Sequence, residues 1–200
     1  MADQNSPIWN YDFEKNKPLQ AGTVLLSEPF MWDENFRRTV ILLCRHRSVE
    51  GTSGVILNKP VKLELEDLLD SFPKDFGGKL YLGGPVGTDL IQILHTMGDK
   101  LTGSQKICEG VYWGGDFNQL KKLIRQGEIT NKHIRFYIGY SGWDAKQLQD
   151  ELRENSWIIA SARHEYIFNT EPDSLWKKIM NDMGGLYHTM ASYPENPNLN

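Results

Sequence analysis

A chain of 200 residues with 22 Lys and Arg against 26 Asp and Glu has a formal charge of −4 and a pI near 5.7; that is enough chain for one good hydrophobic core, without the basic excess that drives binding to a phosphate backbone. Its 40% hydrophobic and 24% charged residues are those of an ordinary globular protein, and its longest apolar run, Val40 to Cys44, falls far short of the ~20 residues that cross a membrane as a helix. Two cysteines, Cys44 and Cys108, are too few for a disulfide framework or a structural zinc site, and both are read as reduced thiols.

Residues 1–18 mix Asp, Asn, Lys and Pro with Trp9, Tyr11 and Phe13 and read as an N-terminal arm or tail. They contain no basic stretch leading into an apolar one, so no secretory leader is expected and a cytoplasmic location is. A single domain is expected over 19–192, followed by a flexible tail at 193–200.

Within the domain, 22–29 and 38–46 predict strands. The second is apolar on both faces, as a covered central strand would be. A glycine-containing turn after residue 50 leads into a short strand at 55–57, making a hairpin with the strand before it. Leu63, Leu65, Leu68, Leu69 and Phe72 predict one helical face ended by Pro73. The stretch 78–87 is a short strand stopped by Gly83-Gly84-Pro85, and 89–98 reads as another. Asp116 caps a helix that Gly127 ends, with Phe117, Leu120, Leu123 and Ile124 as its apolar stripe. A strand follows at 133–143, then a helix from an Asp144 cap carrying Leu148 and Leu152, a strand at 157–162, and a helix opened by Pro172 or Asp173 and stopped by Gly184. Strands in hairpins followed by strands alternating with helices predict a mixed α+β domain.

Several stretches invite a chemical reading. The glycines of 81–87 suggest an anion-cradling loop, but the Gly-Lys-Ser/Thr ending is missing and Pro85 removes a donor, so a tight turn is the better reading. Gly139-Tyr140-Ser141-Gly142-Trp143 misses the nucleophile-elbow spacing by one residue, which leaves Ser141 as a turn hydroxyl. His46, His95, His133, His164 and His188 never stand two or four apart, and no metal site or other cofactor is expected. Cys44 and His46 are different. Two apart on a strand they would share a face, with Arg45 and Arg47 on the other, and an imidazolium there would lower the thiol's pKa toward neutrality. A cysteine that ends an apolar run is also a small buried hydrophobe.

In order, "AGTVLLSEPFMWDENFRRTVILLCRH", "GTSGVILNKP", "LYLGGPV", "GVYWGGDF", "YIGYSGWDAKQLQDELRENSW" and "LWKKIMNDMGG" resemble the AlgH/YqgE family of small bacterial proteins, over about residues 20–188. Pro29, Asp33, Phe36, Cys44, His46, Asn58, Pro60, the run Gly83 to Val86, Gly142, Trp143, Gln147, Glu151 and Trp157 carry the likeness. The resemblance implies an α+β (mixed α/β) fold whose bifurcated, barrel-like, mostly antiparallel sheet is flanked by about four helices. It also implies a role described as transcriptional regulation. With an acidic chain and no recognition helix, direct nucleic-acid binding is not expected. The expectation is a non-enzymatic regulatory module for a small ligand or protein partner. Its pocket is expected to be lined by Cys44, His46, Asn58, Pro60, Gly83, Gly84 and Pro85 at strand ends. The alternative is a thiol-dependent enzyme or redox sensor that uses Cys44 with His46.

Overall fold

The computed structural model describes residues 18–195 except 70, 71 and 75, and leaves out the side chains of 66 and 99. Nearly all of the aromatic arm therefore lies outside the described residues. One nine-stranded sheet organises the rest. Its strands are β1 (Thr23–Ser27), β2 (Val40–Arg47), β3 (Gly51–Ile56), β4 (Leu80–Leu82), β5 (Val86–His95), β6 (Gln105–Cys108), β7 (Val111–Trp113), β8 (Ile134–Trp143) and β9 (Trp157–Ser161). They run β6-β7-β5-β8-β3-β2-β1-β9, with β4 added beside β8. Every pairing is antiparallel except β4 with β8.

The sheet divides along β8. Phe136 to Ile138 pair with β4, whereas Ser141 to Trp143 pair with β3. Gly139 makes the division possible. Its φ is +64°, and a Cβ there would meet the carbonyl oxygens of Val86 and Gly84 at 2.7 and 2.8 Å, positions only a glycine tolerates. The strand's alternation breaks at this point: Tyr137 faces one core while Trp143, six residues on, packs in another.

Side-chain period sorts the strands into two faces. Val24, Leu26, Val40, Leu42, Val55 and Tyr137 line the inner face, covered by Trp176, Ile179 and Met180 of α5 (Pro172–Met183) and Met190 of α6 (Gly185–Ala191). Trp176 is anchored as well as buried, since its indole Nε1 donates to the Ser27 carbonyl at 3.0 Å. The outer face carries two clusters. Ile93, Ile134 and Phe136 pack with Leu120 and Ile124 of α2 (Phe117–Arg125) and with Leu65 of α1 (Leu65–Leu68). Leu25, Ile41, Leu43 and Ile56 pack with Leu148 of α3 (Gln147–Arg153) and with Trp143 and Trp157. The short α4 (His164–Phe168) completes the inner layer through Tyr166 and Ile167. No helix among the described residues is long and apolar enough to cross a membrane.

The predicted α+β class, the forked antiparallel sheet and β2's two buried faces are all present. Asp116 caps α2 as expected, accepting from the Gln119 amide at 2.7 Å. Other elements differ. The apolar stripe of 63–72 yields only one helical turn, because Leu69 already leaves it in an extended conformation, and Leu63 and Leu68 are exposed. Asp144 does not cap α3; the Gln147 side chain instead turns back to accept the Asp144 amide at 3.2 Å. The β6-β7 hairpin, α4 and α6 are additions, so six α-helices stand among the described residues where about four helices were expected.

Candidate functional site

At the open end of the inner face, where the β2-β3 hairpin meets the last residues of β8 and the β5-β7 pair, lies a cavity of about 560 Å³. Cys44, Ser53 and Val55 line it from the hairpin, Tyr140 and Gly142 from β8, and Trp113 from β7. Arg45, Glu50, Gln92, Asp144 and Gln147 supply its charged and amide groups. These are held in place. Arg45 Nη2 donates to Glu50 at 2.7 Å, Trp113 Nε1 donates to Gln92 Oε1 at 3.0 Å, and Gln147 Nε2 donates to Glu151 Oε1 at 2.9 Å. The hydrogen bond from Arg47, with the charges of Arg47 and Arg45, holds the Glu50 carboxyl below its ordinary range.

A β-bulge explains why Cys44 and not His46 reaches this cavity. β2 and β3 pair Leu43 with Gly54 and then Arg45 with Ser53, so Cys44 is an extra residue with no partner. One inserted residue reverses the alternation beyond it. Arg45 therefore joins Cys44 in lining the cavity, and His46, opposite Thr52, is not among the lining residues. Gly54 permits the irregularity, since a Cβ there would lie 2.4 Å from the Leu42 carbonyl oxygen. His46 Nδ1 instead sits 2.7 Å from the Thr52 hydroxyl.

The thiol–imidazole pair read from the spacing is thus separated. Cys44 is 3% exposed, its Sγ lies 3.6 Å from the Leu42 carbonyl, and burial pushes its pKa up, against the expected fall. A thiol in that state is a small apolar side chain at the cavity floor and holds almost no nucleophilic thiolate.

The remaining predicted site residues have different placements. Asn58 does structural work: its Oδ1 accepts from the Val40 amide and its Nδ2 donates to the Arg38 carbonyl, both at 2.8 Å. Pro60 bridges to Tyr81 and lines a separate groove near Glu171. Gly83 and Gly84 lie against β8, where a Cβ on Gly84 would stand 2.3 Å from the Tyr140 backbone, and the Gly83 amide donates to Ile138 at 2.7 Å. Pro85 is exposed and leads into Val86, which does line the cavity. Ser141 is buried, its hydroxyl donating to the Gly83 carbonyl at 3.2 Å.

Sequence reading passed over Trp113 and Tyr140. Each is a strand residue next to glycine, Trp113 before Gly114-Gly115 and Tyr140 after Gly139, and an aromatic beside glycine was the available signal. Among the described residues no group of three or more His, Cys, Asp or Glu is placed to hold a metal ion.

Comparison with known proteins places this geometry in context. The AlgH-like (DUF179) family profile matches residues 24–188. A UPF0301 protein of Chlorobaculum parvum is 40% identical over 182 residues, covering 91% of this chain and 96% of the relative. Another, from Bacteroides thetaiotaomicron, is 38% identical and covers 95% of this chain and 96% of its own. The solution structure of the AlgH protein from Pseudomonas aeruginosa superimposes with a TM-score of 0.69 at 26% identity, over 96% of this chain and 98% of that one. A crystal structure from Corynebacterium diphtheriae, at 19% identity and a TM-score of 0.73 over 89% of this chain and 94% of that one, shares the fold.

Proposed function

The chain belongs to the AlgH-like family, and from that premise we propose that it is a non-enzymatic, cytoplasmic binding module that takes a small polar ligand with a flat ring into the cavity at the open end of its sheet. What carries the reading is the composition of the walls: three aromatic residues, Trp113, Tyr140 and Trp143, beside polar groups on Arg45, Ser53, Gln92 and Gln147. Rigid aromatic surface with a few oriented polar groups is the usual make-up of a small-molecule site, and the volume lies in the range such sites occupy. Regulation then runs through ligand occupancy or a protein partner. The acidic charge of −4 gives no basis for direct contact with DNA.

The test is a metabolite panel scanned by melting temperature on the full chain. A ligand at 100 times its Kd adds about 2.7 kcal/mol, a rise of roughly 5–10 °C for a domain of this size. Ser53→Trp, which puts a bulky ring into the cavity, abolishes that rise. A panel that leaves the wild-type melting temperature unchanged, or a rise that survives Ser53→Trp, contradicts the proposal.

A further inference from the structure

A second cavity, of about 660 Å³, lies where the start of β8, the start of β4 and the end of β5 come together beneath α4. β8 runs ten residues from this end to the first cavity, about 30 Å, so the two are separate. We propose that this second cavity is a binding site for a small phosphate-bearing anion.

Charge is the first argument. Lys79, Lys132, His133, Arg135 and His164 all line the cavity, and among its described lining residues there is no Asp or Glu. In a chain with net charge −4 the three cations Lys79, Lys132 and Arg135, with two imidazoles beside them, run against the overall balance. A concave surface lined by one sign of charge focuses potential toward an oppositely charged ligand.

Arg135 supplies the second, independent argument. It is 5% exposed, and its Nη1 and Nη2 donate to the neutral carbonyls of Asn131 at 2.8 Å, Ile134 at 2.9 Å and Phe168 at 2.9 Å, with the Tyr81 hydroxyl as a further neutral partner. Its Nε is buried with no partner among the described residues, and no described carboxylate pairs with it. Burying a charge without a counter-ion is unfavourable. An anion in the adjoining cavity supplies the missing charge, and a phosphate group satisfies several cationic donors at once.

The third argument is that the site is preformed. The Phe136 amide donates to the Lys79 carbonyl at 3.1 Å and the Thr96 amide to the His133 carbonyl at 3.0 Å, which ties the three strand ends together. Asn131 Nδ2 donates to the Gly77 carbonyl at 3.1 Å across the rim. His133 Nδ1 accepts from the Thr130 amide at 3.1 Å, which puts the ring proton on Nε2. On one wall the rings of His164 and Phe168 lie 4.9 Å apart, an apolar surface for the organic part of a phosphate ester.

The experiment titrates the isotope-labelled full chain with inorganic phosphate, pyrophosphate and adenosine monophosphate, following backbone amide shifts. Saturable shifts concentrated on Lys79, Thr96, Lys132 to Arg135 and His164 are expected. Arg135 holds three carbonyls and its loss would disturb the fold, so the exposed cations are varied instead. Lys79→Gln with Lys132→Gln weakens binding about tenfold, whereas Lys122→Gln with Lys146→Gln, the same charge change elsewhere, weakens it less than about twofold. The proposal is overturned if none of the three probes shifts these amides at about 10 mM, if the shifts spread over surface lysines generally, or if both double variants weaken binding equally.

Discussion

Replacing Glu151 by alanine is expected to cost about 2–6 kcal/mol, far more than a partly buried glutamate on a short helix ordinarily would. One of its oxygens, Oε2, accepts the indole N–H of Trp143 at 2.7 Å and that of Trp157 at 2.6 Å, and the other accepts Gln147 Nε2 at 2.9 Å. Both indoles are buried, at 6% and 5% exposure. Truncation strands two buried donors, each at about 1–3 kcal/mol. Glu151→Gln keeps an oxygen in place but loses the charge, and a bond to a charged group exceeds a neutral one by about 1 kcal/mol, so it costs about 2 kcal/mol. Urea unfolding followed by tryptophan fluorescence reads the difference. With a slope near 2 kcal/mol per molar, alanine lowers the midpoint by about 1–3 M and glutamine by about 1 M. Asp150→Ala, which removes only an exposed pair with Arg153, stays within about 0.5 kcal/mol. A Glu151→Ala midpoint equal to that of Asp150→Ala would refute the role assigned to this carboxylate.

Three further outcomes follow from the same geometry. In the native protein at pH 8, an alkylating reagent labels Cys108 well before Cys44, and His46→Ala leaves the Cys44 rate unchanged; a rate that responds to His46 would mean the two side chains interact after all. Gly139→Ala destabilises by about 3 kcal/mol or more in the same urea assay, about 1–2 from the left-handed backbone and the rest from pressing on the Val86 and Gly84 carbonyls; a cost under 1 kcal/mol would mean that the fork along β8 has slack. His95 is fully buried, its Nδ1 accepting the Met97 amide and its Nε2 facing the Gly114 carbonyl, and burial lowers its pKa from 6.5 despite that carbonyl. Above 6.5 the folded and unfolded states are both neutral and its contribution is intact. As pH falls below 6.5 the unfolded chain takes up a proton that the folded one refuses, so stability declines from there toward the folded pKa. His95→Asn flattens that part of the stability profile, and an unchanged profile would exclude His95 as its source.

Much of the fold could be read before the structure because particular residues have one good use. Val40 to Leu43 are apolar at every position and fit a strand buried on both faces; Asp116 and the pair Pro172 and Gly184 mark helix ends by chemistry that operates locally. The β6-β7 hairpin carried a readable signal that was passed over, a turn at Gly110 with φ +71° between the buried Ile107 and Val111. α6 was hidden by its own start, since Gly184-Gly185 reads as a stop. Its seven residues are held by Met190 and Ala191 in the inner core more than by helix propensity.

The candidate site was less legible, and for one physical reason. A two-residue spacing predicts a shared face only on a regular strand, and the bulge at Cys44 depends on Gly54, a residue of the partner strand, accepting a close backbone approach. Nothing in Leu42-Leu43-Cys44-Arg45-His46 reports it. The same limitation applies to Asn58, Gly83 and Gly84, whose side-chain amide and missing Cβ serve the meeting of β2, β4 and β8.

The reading of the first cavity as a binding site is tested most directly by mapping a compound that raises the melting temperature onto the protein by amide and indole N–H shifts. Shifts gathered on Cys44, Arg45, Ser53, Tyr140 and the Trp113 indole are expected, with His46 and Asn58 little affected. Shifts centred on His46 or Asn58 with Trp113 and Tyr140 silent would contradict it.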